Sequence, residues 1–168
     1  LDLPAEDYET GKIKKVNELY TGKQVVENVD QKIINKLYRS SSLEWSAFFD
    51  VEPVCNQYFI FKSDSNSILA YYNGTDGKIH KIGKKSVYGI HAKNAEQTFA
   101  IHAIMQQDIK LVSLTGVAGT GKTLIALASV LEQRKIFSQI YLSRPIVPLS
   151  NRDIGYLPGD IKSKINPY

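Results

Sequence analysis

Residues 110–134 confine the fold more tightly than any other stretch. An apolar run (Leu111, Val112, Leu114) leads into Gly116-Val-Ala-Gly-Thr-Gly-Lys-Thr123, after which Leu124, Leu127, Ala128 and Leu131 recur at helical spacing. The order predicts strand, glycine-rich loop, helix. Gly116, Gly121, Lys122 and Thr123 satisfy Gly-x-x-x-x-Gly-Lys-[Ser/Thr], the spacing of a loop that cradles phosphates. Gly116, Gly119 and Gly121 lack a Cβ, so the backbone through Val117, Ala118 and Thr120 can curl with its N–H groups inward. The helix opening at Lys122, Thr123 and Leu124 adds unpaired N–H groups and the positive end of its dipole. Lys122 is placed to meet the β- and γ-phosphates as a point charge, and Thr123 offers a hydroxyl to Mg²⁺. These two are the candidate catalytic residues, and Thr123 is the candidate metal ligand. A loop that merely turned the chain would account for the glycines but not for Lys122 and Thr123.

Downstream, Gln139–Ser143 reads as a short buried strand, which predicts a βαβ unit with parallel strands and a right-handed crossover. Arg144-Pro145 follows at the strand end, the edge at which doubly wound sheets bind ligands. Arg144 suits a phosphate of nucleotide or nucleic acid, or a carboxylate. Upstream, Phe99, Ile101, Ala103, Ile104 and Met105 predict a helix. Asn94 can cap it, with Gln97 three residues on completing a capping box. The Gln97 amide also suits adenine N7 and N6, with Tyr88 or Ile90 packing near the base. The two uses are compatible.

The first half is different in kind. Residues 1–10 read as an acidic tail or linker around Pro4, and residues 11–85 as a small β-rich module. Within it, Lys12–Val16 and Gln24–Val29 lean to strand, and Asp30 caps a helix carrying Ile33, Ile34 and Leu37 that ends at Ser40–Ser42. Trp45, Phe48 and Phe49 suit a core. Gln57–Lys62, Ser67–Tyr72 and Lys78–Ile82, divided by polar turns, predict a three-stranded antiparallel meander. Tyr71 and Tyr72 with Lys78, Lys81, Lys84 and Lys85 could stack on single-stranded nucleic acid, but core aromatics with a solvated lysine edge explain them better. Residues 83–89 look like the boundary to the nucleotide domain, 86–168.

With 43% apolar and 23% charged residues the chain is globular rather than disordered. The single cysteine, Cys55, excludes an internal disulfide and suits a reducing cytoplasm. No stretch is apolar enough to span a bilayer. Residues 134–168 hold six bases against two acids, which points to a polyanionic partner or to a solvated face. The absence of an initiator Met and the stop at Asn166-Pro167-Tyr168 suggest a fragment of a longer protein.

Asn94-Ala-Glu-Gln97, Gly116–Thr123, Arg144-Pro-Ile-Val147, Asp153-Ile-Gly-Tyr-Leu-Pro-Gly-Asp160 and Asn166-Pro-Tyr168 together resemble PhoH-like ATPases in order and spacing. The resemblance covers roughly residues 86–168. It implies an α/β fold, namely the N-terminal part of a P-loop NTPase domain with a parallel sheet like the first motor domain of superfamily 1 helicases. It further implies ATP binding and Mg²⁺-dependent hydrolysis, with Gln97 reading adenine and Arg144 and Pro145 near single-stranded RNA. Residues 1–85 resemble, more loosely, the β-rich linker that joins an upstream PIN-type ribonuclease domain in some members. Homo-oligomers are compatible with this reading. One part of the family pattern is absent: after Thr123 the acids are Glu132, Asp153 and Asp160, and none ends an apolar strand that could place it on Mg²⁺. The expectation is a domain truncated before that strand, which binds nucleotide and turns it over slowly or not at all. A nucleotide-switched binding module is the alternative, and a small-molecule kinase fits less well for want of an arginine-rich lid.

Overall fold

The computed structural model describes residues 20–143. The expectations placed on residues 1–10, Lys12–Val16, Arg144–Val147, Asp153–Asp160 and Asn166–Tyr168 lie outside them. Contacts divide the chain into two units, 1–132 and 133–168. The described part of the second, 133–143, has a turn in which the Ile136 and Phe137 N–H groups donate to the Gln133 carbonyl at 2.8 and 3.2 Å.

The first unit is built on a mixed sheet of β1 (Lys23–Val26), β2 (Ser42–Glu44), β3 (Tyr58–Lys62), β4 (Ser67–Asn73) and β5 (Lys78–Lys81), in the order β1-β3-β4-β5-β2. The expected meander is present as β3, β4 and β5, with Phe59 opposite Ala70, Phe61 opposite Ile68 and Tyr72 opposite Ile79. β1 runs parallel to β3, and β2 antiparallel to β5. Helix α1 (Gln31–Ser40) begins where Asp30 accepts from the Lys32 N–H at 2.8 Å and ends at Ser41, whose φ of 64° lets its N–H reach the Leu37 carbonyl.

Side chains alternate across the pleat, so each face takes its own helix. Phe59, Phe61, Ile68, Ala70, Tyr72 and Ile79 form one core with Ile34 and Leu37 of α1, flanked by Trp45, Phe48 and Phe49. On the opposite face Tyr58 and Ile82, with Ile60, Leu69 and Tyr71 beside them, receive Phe99 and Ala103 of α2 (Ala95–Met105). Tyr71 and Tyr72 therefore belong to the two cores, as the blander sequence reading has it, and not to a stacking platform.

α2 also brings His102 against that second face. The Tyr58 hydroxyl lies 3.0 Å from Nδ1 and the Gln106 amide nitrogen 3.1 Å from Nε2. An amide nitrogen only donates, so Nε2 accepts and the proton sits on Nδ1. Burial first, then the charges of Lys85 and His80, push His102 down to about 4. An unfolded histidine takes its proton near 6.5, so between those values the unfolded chain binds more protons and stability falls on acidification. Unfolding free energies from urea melts at pH 7 and pH 5 are expected to differ by about 2 kcal/mol on this account, a loss that His102→Gln removes. Equal slopes in both proteins would show that the imidazole titrates as it does in water.

Residues 83–94 hold a small hairpin, β6 (Ser86–Val87) against β7 (Ile90–His91). Its two-residue turn has φ of 47° at Tyr88 and 77° at Gly89, the left-handed pair that matches strand twist. Val87 then packs with Ile101 of α2 and with Ile125 and Ala128 of α3 (Lys122–Glu132).

Two expectations are corrected. Neither Lys110–Leu114 nor Gln139–Ser143 belongs to a strand ladder, so the parallel βαβ pair is absent among the described residues. A parallel strand is normally buried on both faces and flanked by partners; here Val112 packs on the second core while Leu111 is 88% exposed. Among the described residues the one parallel pair is β1 with β3, in the segment read as a small β-rich α+β module. In α3 the packed face is Ile125, Ala128 and Ser129, and Leu124 and Leu127 of the expected stripe are exposed. α3 is apolar nearly all round, so periodicity alone could not choose its inner face.

Candidate phosphate-binding site

α2 and α3 pack so that both their N-termini open on one cavity of about 340 Å³. It is lined by Asn94, Glu96, Gln97 and Ala100 of the first helix, by Leu114, Thr115, Gly116, Val117 and Thr120 of the loop, and by Gly121, Lys122 and Ile125 at the start of the second. Each helix end presents N–H groups without intrahelical partners and a partial positive charge.

The loop keeps its shape through glycine and lysine. Gly121 has φ of 85°, and a Cβ there would stand 3.3 Å from the Gln97 amide nitrogen, so both conformation and space call for glycine. The Lys122 ammonium folds over the loop and donates to the Gly116 and Val117 carbonyls at 2.9 and 2.8 Å, with Thr120 Oγ1 at 3.4 Å. Thr120 Oγ1 in turn donates to the Val117 carbonyl at 3.0 Å. Among the described residues no backbone N–H from Val117 to Leu124 donates to a protein acceptor. Exposed backbone donors beside an ammonium at a helix N-terminus are an arrangement an oxyanion fits. Thr123 is exposed in the first turn of α3, and no group of three or more His, Cys, Asp or Glu among the described residues could hold a metal without help.

Gln97 joins the two helix ends. Its own N–H donates to the Asn94 side chain at 2.8 Å, its Oε1 accepts from the Lys93 N–H at 2.8 Å, and its Nε2 donates to the Thr120 carbonyl at 3.2 Å. The expected cap by Asn94 is present, and the return bond goes to Lys93 rather than to Asn94. A primary amide has two donors and two lone pairs, so one of each remains on Gln97.

Asn94, Gln97, Gly116, Val117, Thr120, Gly121 and Lys122 thus line one cavity. Ala118, Gly119, Thr123 and Leu124 lie on the exposed loop and first turn but do not line the cavity. Tyr88 is elsewhere: its N–H donates to Glu132 at 2.7 Å, at the far end of α3, about 15 Å along the helix from Lys122. Its candidacy as a base-packing residue rested on nearness in sequence, and the hairpin carries it away. Arg144 and Pro145 lie outside the described residues.

Sequence reading missed Glu96, Ala100, Leu114, Thr115 and Ile125. Glu96 is the unexpected one, a carboxylate beside an anion site. Lys23 of β1 is hydrogen-bonded to it, and that bond, with the Glu96 backbone N–H next, holds its carboxyl below the usual range. The partner comes from 73 residues away, beyond the reach of any local pattern.

A family model described as "PhoH-like protein" matches residues 89–168, which include the whole cavity. Over its full length the chain is 32% identical to "Protein PhoH2" of Bacillus subtilis and 28% identical to "Protein PhoH2" of Thermobispora bispora, spanning 39% and 38% of those proteins. Over 81 residues, 47% of the chain, it is 38% identical to "Protein PhoH" of Escherichia coli K12, covering 22% of that protein. The chain therefore spans about two fifths of the length of the first two relatives. No solved structure matches.

Proposed function

Because this chain belongs, through residues 89–168, to the PhoH-like proteins, we propose that it is the nucleotide-binding part of an ATP-hydrolysing enzyme that acts on RNA. The observation that carries the reading is the cavity: two helix N-termini, a run of unpaired loop N–H groups and the Lys122 ammonium converge where a triphosphate needs positive charge. Lys122 holds the β- and γ-phosphates, and the loop amides orient them. Thr123 contributes a hydroxyl to Mg²⁺, which supplies neutralising charge on the phosphate oxygens. The remaining donor and lone pair of Gln97 match adenine N7 and N6 while its other two bonds hold the loop to α2.

Single-stranded RNA is the proposed partner of the completed enzyme, with Arg144 and Pro145 near it, residues 11–85 serving as linker module, and a PIN-type ribonuclease domain on the N-terminal side of that linker. Among the described residues no helix is long and apolar enough to cross a membrane, and the exposed free thiol of Cys55 suits a cytoplasmic setting.

Calorimetric titration with Mg-ATP and Mg-GTP tests the site. Saturable binding with a preference for ATP is expected, and turnover is expected to be slow, since no acid-ended apolar strand follows Thr123. Gln97→Ala should bring the two nucleotides to similar affinity and cost about 1–2 kcal/mol in stability through the lost bonds to the Lys93 N–H and the Thr120 carbonyl, the Asn94 cap being kept. Gln97→Glu keeps the acceptor for the Lys93 N–H and loses the donor, so it should recover part of the stability but not the base preference. An unchanged ATP preference in both variants would remove the adenine role. Turnover at motor-like rates would show a complete catalytic site within these residues, and slow or absent turnover fits both this reading and a nucleotide-switched module, which the presence or absence of an acid-ended strand in the rest of the protein separates.

A further inference from the structure

On the sheet face opposite α2, helix α1 turns a stripe of one charge to solvent. Lys32, Lys36 and Arg39, spaced i, i+4 and i+7, are all exposed, as is Asn35 between them. α1 contains no acidic residue, and among the described residues none of these three bases makes an ion pair. With Asn35 and Ser40 they line an open depression of about 500 Å³.

This arrangement works against the helix. Lys32 stands in the first turn, where the dipole favours an acid, and Lys32 and Lys36 form a like-charge pair at i, i+4. A partner that brings negative charge would relieve both costs. Beside the stripe, Tyr38 keeps 45% of its surface exposed, and the Lys81 ammonium sits 5.5 Å above its ring and donates to its carbonyl at 2.9 Å. The Tyr38 hydroxyl donates to the Ser67 carbonyl, which fixes the ring in place.

We propose that the exposed face of α1, through Lys32, Lys36 and Arg39 with Tyr38 and Lys81 at its end, docks the phosphate backbone of a single-stranded polynucleotide. A row of cations at one-turn spacing tracks a chain of phosphates, and a held aromatic ring beside it offers a base a stacking surface. An anionic membrane would meet the same charge, but the aliphatic residues Ile34 and Leu37 of α1 are both at 0% exposure, Ile33 is half-buried and the Tyr38 hydroxyl is tied to the Ser67 carbonyl, so the helix offers no continuous apolar face to lipid. The surface adds a contact to the proposed RNA-directed reading and rests on α1 and Lys81, not on the loop at Gly116–Thr123. Loss of nucleotide binding in a Lys122 variant leaves it standing.

The test uses the full 168-residue chain, a fluorescein-labelled oligouridine and anisotropy over a salt series. The triple variant Lys32→Ala, Lys36→Ala, Arg39→Ala should bind at least tenfold more weakly at low salt, with the slope of log affinity against log salt flattened by about 2, the value for three lost contacts to a single strand. Alanine suits an exposed helix position and removes both the first-turn cation and the like-charge pair, so a melting temperature at or slightly above the parent's is expected, and Lys36→Arg should bind as the parent does. Lys110→Ala, which removes one exposed positive charge outside α1, should bind as the parent does. No oligouridine binding by the parent chain, equal affinity and slope in the triple variant, or an equal loss in Lys110→Ala would overturn the proposal. So would tighter binding to duplex DNA of equal length, or to vesicles of phosphatidylcholine and phosphatidylserine, than to the oligouridine.

Discussion

Lys122→Ala is expected to abolish Mg-ATP binding, with a titration that shows only heat of dilution where the parent chain saturates. Among the described residues the ammonium is the one full positive charge lining the cavity, and the two carbonyls it bridges belong to Gly116 and Val117 at the loop's entrance. Truncation removes both the charge a triphosphate needs and the clasp that keeps the loop curled. A charge-assisted hydrogen bond contributes about 1.5–3 kcal/mol, so a single lost contact gives roughly ten- to hundredfold, and collapse of the loop adds to it. Lys122→Arg should fail almost as fully, because a planar guanidinium cannot sit between two carbonyls as an ammonium does. Stability should change by no more than about 1 kcal/mol in either variant, since the side chain bonds only within its own loop. Retained affinity with an intact fold would mean that the nucleotide, if bound at all, is bound elsewhere.

The largest stability effect is expected at Phe61→Ala. Phe61 is fully buried in the α1-side core, stacked on Phe48 at 4.4 Å and on Phe59 at 5.3 Å between ring centroids. Phe→Ala in such a setting costs about 3–5 kcal/mol through lost transfer energy and the cavity left behind. A domain of this size has about 5–15 kcal/mol in total, so the variant should unfold at markedly lower urea, with the parent's slope. A loss under about 1 kcal/mol would show that this face of the sheet does not anchor the fold.

Local chemistry made much of this structure legible from sequence. The caps at Asp30 and Asn94, the strands of the meander and the loop at Gly116–Thr123 each follow from residues within one turn or one hairpin of each other. What failed was non-local. Whether Lys110–Leu114 joins a ladder depends on neighbours that flank it, and apolar content cannot supply them. The inner face of α3 was ambiguous because Leu124, Ile125, Leu127 and Ala128 are all apolar, and only the packing against α2 chooses Ile125 and Ala128. Tyr88 was drawn to the site by six residues of separation from Asn94, whereas its left-handed turn sends the chain toward Glu132. Lys23 reaching Glu96 and His102 lying between Tyr58 and Gln106 needed the sheet and α2 to be docked first.

The most direct measurement is an amide ¹H–¹⁵N spectrum of the chain titrated with Mg-ATP. The backbone signals of Gly116 to Leu124 and the side-chain NH₂ of Gln97 should move together and saturate with one dissociation constant, while those of Lys32, Lys36 and Arg39 hold still. Signals in the loop that stay fixed at saturating nucleotide, or shifts confined to other parts of the chain, would contradict the assignment of this loop as the triphosphate site.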